Sequence, residues 1–213
     1  MAERRPIATR DTHWARALAA RIAATGLTAN AISLAGAVFA ALAGAAFWLA
    51  DGPHRRAWLV VAAVGIQLRL LCNMLDGMVA VEHGRATPTG ALYNDVPDRV
   101  ADTVILVGAG YAAVGIEWGP GLGWACAVMA MLTAFVRVLG GSLGTPQYFF
   151  GPQSKSQRMA VLTAAALAAA MVPSAATAGR IVTFALVVVL VGSAITAVRR
   201  LRRIAADLER RDA

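Results

Sequence analysis

The chain reads Asn73-Met-Leu-Asp76-Gly77-Met-Val-Ala80-Val81, then eight residues, then Gly90-Ala-Leu-Tyr-Asn94-Asp95-Val-Pro-Asp98. Carboxylates, amides and small residues are set here inside two long apolar segments. Asn73 and Asp76 lie three apart, so on a helix they share a face. Asn94, Asp98 and Asp102 are each four apart and form one stripe. A short loop joins the two segments, so the two faces are able to oppose one another with their oxygens converging near one end. Converging carboxylate and amide oxygens suit a hard cation such as Mg or Mn. Gly77 and Ala80 remove bulk, which lets a ligand approach the backbone. A plainer reading is an internal ion pair, such as Asp95 with Arg99, plus packing of small residues between helices. Four acids in adjacent half-helices exceed what packing needs, because an ionisable group inside a bilayer is costly.

The rest of the chain sets the medium around this cluster. Of 213 residues, 58% are hydrophobic and only 15% are charged. A soluble domain carries about a quarter charged residues, so a soluble globular enzyme and a disordered chain are excluded. The net charge of +8 does not signal nucleic acid, since the basic residues sit at the two ends and between apolar runs, as at a membrane surface. Cys72 and Cys126 both lie in apolar stretches, so no disulfide framework is expected. The first eleven residues are polar, and no signal peptide is read there.

A spanning helix needs roughly 20 apolar residues. Residues 31–50, 118–136, 159–179 and 181–198 are uncharged, with Pro173 ending the third of these helices near Val172. Residues 57–81 and 91–115 are apolar but interrupted by charge, and they count as spans on their flanks. The expected fold is all-α: a six-transmembrane-helix integral membrane bundle with an N-terminal amphipathic interfacial helix. The latter covers residues 11–25, where Trp14, Leu18 and Ile22 recur at a spacing of four. One domain fills residues 1–213, with the spans inside 30–200 and a basic tail at 201–213. In a six-helix layout Arg4, Arg5, Arg10, Arg16, Arg21, Arg85, Lys155, Arg158 and the arginines from Arg199 onward share one side. Only Arg55, Arg56 and Arg180 fall on the other. Both termini and the acidic cluster are therefore expected at the cytoplasmic side, in a bacterial-type inner or plasma membrane.

The quoted segment resembles the CDP-alcohol phosphatidyltransferase family, whose pattern is D-x-x-D-G-x-x-A-R, eight residues, G-x-x-x-D-x-x-x-D. Every spacing matches. Thr87-Pro88-Thr89 before Gly90, Arg99 after Asp98, and Leu27-Thr28-Ala29-Asn30 before the first span are also similar. Three positions depart: Asn73 and Asn94 replace the first and third aspartates, and Val81 replaces the arginine.

The resemblance implies a transfer of a phosphatidyl group from a CDP-linked lipid such as CDP-diacylglycerol to a small alcohol or sugar-phosphate acceptor, with release of CMP. It implies Asn73, Asp76, Asn94 and Asp98 as ligands of one or two Mg or Mn ions. Asp98 is implied as the base, and Asp76, Gly77, Ala80 and Gly90 as the nucleotide side. Arg137, Lys155 and Arg158 are implied on the acceptor phosphate. Anchoring at the interface is the plainer reading of Lys155 and Arg158. Family members often form dimers, so the resemblance leaves a homodimer open; the Gly140-Gly141 and Gly36–Gly44 faces permit close helix contact, and packing against lipid is an equal reading of them. The four motif positions carry a formal charge of −2 rather than −4, which lowers metal affinity. Asparagine keeps a carbonyl oxygen for ligation. Two-metal, one-metal and metal-free forms all remain open, as does a non-catalytic bundle that binds a lipid or a partner. His83 or Arg85 stands in reach of replacing the lost arginine. Arg69, one turn before Asn73, is expected to pair with an acid.

Overall fold

The computed structural model describes residues 10, 12–82 and 88–211. His83, Arg85, Thr87, the first basic residues Arg4 and Arg5, and the end of the 201–213 tail lie outside them. Seven helices carry the described chain: α1 (His13–Ala24), α2 (Ala29–Leu49), α3 (Arg55–Glu82), α4 (Gly90–Tyr111), α5 (Gly119–Ser142), α6 (Lys155–Met171) and α7 (Ala175–Glu209).

Local chemistry explains the ends of these helices. Thr28 caps α2 by accepting from the Ala31 N–H at 3.2 Å, which satisfies one of the orphan donors of a helix start. Ser174 does the same for α7 through the Thr177 N–H. Helix α6 stops at Met171, two residues before Pro173, as expected from the clash a proline imposes on the preceding turn. Its exposed carbonyls are taken by Arg55, whose guanidinium donates to Ala169 O at 2.9 Å, Val172 O at 2.9 Å and Pro173 O at 2.8 Å.

Six helices close a ring. Contacts run from α4 to α2, α3, α6, α7 and α5, and back to α4. Glycine sets the closest crossings. A Cβ on Gly108 of α4 would lie 2.8 Å from the Gly44 Cα of α2, and one on Gly123 of α5 would lie 3.0 Å from the Gly110 Cα. Gly36 faces Cys72 of α3, and Gly140 and Gly141 face Ile204 and Gln147. The glycine faces read from the sequence are thus used inside the chain.

The outward surface is apolar: Val38, Leu42, Trp48, Val128, Phe135 and Phe184 are all more than half exposed. A contiguous apolar exterior of this kind belongs to a protein solvated by lipid. Four helices, α2, α3, α5 and α7, are long and apolar enough to cross a membrane. The sequence reading expects six spans. Helix α4 departs because Asp95, Asp98, Arg99 and Asp102 interrupt it, and α6 because it has only 17 residues.

Helix α1 forms where the interfacial helix was expected, but on a different face. Ala15, Ala19 and Ala23 are buried against Met74, Leu75, Met78 and Val79 of α3. Alanines permit the shorter approach, which leaves Leu18 and Ile22 at the edge of the contact and Trp14 half exposed.

Candidate active site

A cavity of about 670 Å³ opens between α3, α4, α5 and α6. Of the residues singled out in the sequence, Asn73, Asn94, Asp98, Arg137, Lys155 and Arg158 line it. Trp14 of α1 and Phe149 of the α5–α6 loop supply aromatic walls.

Asp98 is the most heavily engaged group. Asn73 Nδ2 donates to its Oδ1 at 2.7 Å. Arg69 Nη2 reaches the same oxygen at 3.3 Å. Lys155 Nζ forms an ion pair with Oδ2 and also donates to Asn73 Oδ1 at 3.0 Å. The side chain is 11% exposed, so it remains in reach of the cavity.

Asp102, one turn deeper, is held between two arginines: Arg69 at 2.6 Å and Arg158 at 3.1 Å. All three residues are buried, at 3%, 1% and 2% exposure. Arg158 further donates to Thr133 Oγ1 at 3.2 Å and Gln153 O at 2.8 Å. This knot ties α3, α4, α5 and α6 together, and it matches the expectation that Arg69 pairs with acids. Buried charges persist only when paired and hydrogen-bonded. Arg158 is therefore a wall of the cavity rather than an interfacial anchor.

On the far wall Asp95 accepts from Arg99 at 3.1 Å and Arg137 at 3.2 Å. Arg137 also donates to Gln147 Oε1 at 2.7 Å and lies 5.2 Å above the Phe149 ring. Five basic side chains thus surround three carboxylates, and Arg200 adds another cation to the lining. The excess is positive, so the cavity favours an anion such as phosphate or diphosphate.

Asp76, Gly77, Ala80 and Gly90 are not part of this lining. Asp76 is buried and accepts from Ser33 Oγ of α2 at 2.6 Å. The three-residue spacing from Asn73 offsets it enough to face α2, while Asn73 faces α4 and α6. Among the described residues no three His, Cys, Asp or Glu side chains gather into a metal-binding group. The donors present are oxygens of the type a hard cation takes, and one pair already carries a cation: the Lys155 ammonium sits on Asn73 Oδ1 and Asp98 Oδ2. By donor chemistry Asn73, Asn94 and Asp98 on the cavity fit a divalent ion, while Asp76, the second carboxylate of the four motif positions, stands on the Ser33 side.

Sequence reasoning passed over Ser33, Gln147, Phe149 and Arg200. Arg200 donates to Phe150 O at 3.0 Å and Thr133 O at 2.8 Å. Its signal was present: Ser193, Thr196 and Arg200 form a polar stripe on the buried face of α7, hidden by the run of arginines that follows it.

No family model matches the chain. It is 27% identical over 147 residues to the inner membrane protein YnbA of Escherichia coli (strain K12), a match covering 69% of this chain and 70% of that protein. The fold is similar to that of phosphatidylinositol phosphate synthase from Mycobacterium tuberculosis. The structure of that enzyme with manganese and citrate has a TM-score of 0.70 at 22% identity, covering 89% of this chain and 88% of that one. Its structure with CDP-DAG bound has a TM-score of 0.69 at 22% identity, covering 89% and 92%. The chain therefore has the fold of a CDP-alcohol phosphatidyltransferase.

Proposed function

We propose that this chain is a CDP-alcohol phosphatidyltransferase. It moves a phosphatidyl or similar substituted phosphate group from a CDP-linked lipid such as CDP-diacylglycerol to a small alcohol or sugar phosphate, and CMP leaves. The observation that carries this reading is Asp98, a carboxylate in reach of an electropositive cavity, at the last position of a motif whose spacing matches throughout.

The acceptor hydroxyl loses its proton to Asp98 as its oxygen bonds to the lipid-side phosphorus. The bond from that phosphorus to the CMP oxygen breaks, and CMP departs with the electron pair. Arg137, Lys155 and Arg158, with Arg200, hold negative charge on the phosphates, and positioning plus electrostatics supply most of such catalysis. Asn73, Asp76, Asn94 and Asp98 are the residues that would hold Mg or Mn. Such an ion, when bound, would neutralise charge on the diphosphate.

In this reading α4 and α6 cross the membrane beside the four apolar helices, because each is packed into the ring. Helix α1 lies on the cytoplasmic surface, and the cavity opens to the same side, so a nucleotide product leaves into water while acyl chains stay in lipid. Manganese and CDP-DAG in the structurally similar synthase support both the donor and the cofactor.

The test is metal-dependent CMP release from CDP-diacylglycerol by the full chain in nanodiscs, with Mg or Mn and a panel of acceptor alcohols. Asp98→Asn is expected to lower the rate by about 100-fold or more, the usual contribution of a general base. Absence of CMP release from folded protein with every donor and metal would leave the non-catalytic lipid-binding bundle as the reading.

A further inference from the structure

Nineteen arginines and a single lysine make up the basic residues of this chain, and the lysine is Lys155. Everywhere else a positive charge is carried by a planar fork suited to carboxylates, phosphates and carbonyls. Only at the Asn73–Asp98 pair is it a compact, strongly hydrated ammonium, the side chain whose size and charge come nearest to those of a simple ion.

We propose that Lys155 is the resident cation of the Asn73–Asp98 site, and that a divalent ion reaches those oxygens only by displacing it. The proposal deepens the transferase reading and rests on it for the identity of the anion that follows.

Three observations carry it. First, the seats are taken: Asn73 Oδ1 and Asp98 Oδ2 accept from the ammonium, and Asp98 Oδ1 accepts from Asn73 Nδ2 and Arg69. Second, the charge is already balanced. With amides at positions 73 and 94, Asp98 is the only carboxylate of the four motif positions that lines the cavity, and one ammonium neutralises it. A divalent ion added to that pair meets positive charge from Arg69 on the same Asp98 carboxylate and from Arg158, paired with Asp102 on the next turn. Third, the ammonium is free to leave. Lys155 is the first residue of α6, its side chain is 17% exposed, and it faces the cavity on a flexible four-carbon stem.

A diphosphate in the cavity offers Lys155 a new partner at the same time as it brings negative charge for the divalent ion. Metal and anion therefore help one another to bind, and Lys155 is the coupling element. Metal alone binds weakly.

The experiment titrates Mn2+ into the full chain in detergent without nucleotide, reading free Mn2+ by electron paramagnetic resonance. Lys155→Met, which keeps the stem and removes the charge, is expected to bind Mn2+ at least tenfold more tightly than the unaltered chain. Lys155→Arg is expected to stay within threefold of it. Arg137→Met removes an equal charge from the same cavity without touching these oxygens, and is expected to change affinity less than threefold. Mn2+ affinity unchanged in Lys155→Met, an equal tightening in Arg137→Met, or no binding to any form would overturn the proposal. A second measurement needs no variant. With [15N]lysine the chain gives one Nζ signal, which is expected to move on saturation with Mg2+; a signal that stays fixed at saturation would also overturn it. CMP release is measured on the same samples, so a chain with the lysine exchange but no transfer separates failure of the enzyme reading from failure of this one.

Discussion

At the scale of single residues, the site is a set of paired charges of unequal purpose. Asp98 and Asp102 sit on the same stripe of α4, yet Asp98 borders the cavity while Asp102 is sealed between Arg69 and Arg158. Asp102 is thus a positioning residue: it orients Arg158, and through Arg158 the Gln153 carbonyl at the start of α6. Asp102→Ala leaves the Arg158 guanidinium buried without its counter-charge and Arg69 with Asp98 alone, and is expected to cost about 3–5 kcal/mol of stability. Urea unfolding in detergent reads this directly, and an unchanged midpoint would reject the role. How legible these residues were depended on what they touch. The i,i+4 stripe and the need of Arg69 for an acid follow from helical spacing and from the cost of unpaired charge, while which acids it takes, Asp98 and Asp102, came from the packing. The turn of Asp76 toward Ser33 depends on which neighbour α3 presents to each face, a tertiary fact absent from the motif. The same holds for Lys155, whose reach to Asn73 spans 82 positions of chain.

At the scale of elements, helix type and approximate extent were legible because apolar runs of this length have few alternatives. Boundaries moved where polar ends continue a helix: α7 runs on through Arg199–Arg203 to Glu209, whereas α6 begins at Lys155, the residue expected at its start. The crossing of α2 with α4 illustrates what a pattern of small residues does and does not reveal. The Gly36–Gly44 face was visible, but its partner was not. The structure pairs Gly44 with Gly108, so this face serves the monomer's own ring. Gly108→Ala is expected to force the two backbones apart and destabilise the fold by about 1–3 kcal/mol, the usual range for overpacking. Thermal unfolding in detergent measures it. A melting temperature equal to that of the unaltered chain would show that the crossing tolerates a methyl group. The face chosen by α1 was also not legible from hydrophobicity. Its large apolar residues marked one stripe, whereas the contact with α3 is built on Ala15, Ala19 and Ala23, since the depth of approach favoured the smallest side chains.

At the scale of the whole molecule, the charge pattern and the ring of helices point the same way. The basic residues gathered at the cavity end and along the end of α7 are what support the proposed orientation, with both termini in the cytoplasm. A membrane-impermeant maleimide is expected to label Gly52→Cys from outside intact cells, and Arg202→Cys only after permeabilisation; the reverse pattern would invert the topology. Helix α7 adds a consequence of its own. Its 35 residues extend about 52 Å at 1.5 Å each, well beyond a hydrocarbon core of about 30 Å. The part that protrudes grips the α5–α6 loop. Tyr148 pairs with Asp207, Arg203 stacks over the Tyr148 ring at 5.9 Å, and Arg211 bonds the Leu143 and Gly144 carbonyls. That loop carries Phe149 to the cavity, and its Gln147 and Gln153 bond the lining residues Arg137 and Arg158. A helix that slides or tilts to match bilayer thickness therefore pulls on the walls of the site like a lever through the membrane surface. Transfer rates in vesicles of graded acyl length are expected to pass through an optimum, and a flat profile would mean that the lever does not move. The lipid that this chain is proposed to consume as a substrate would then also act on it as a solvent of adjustable depth.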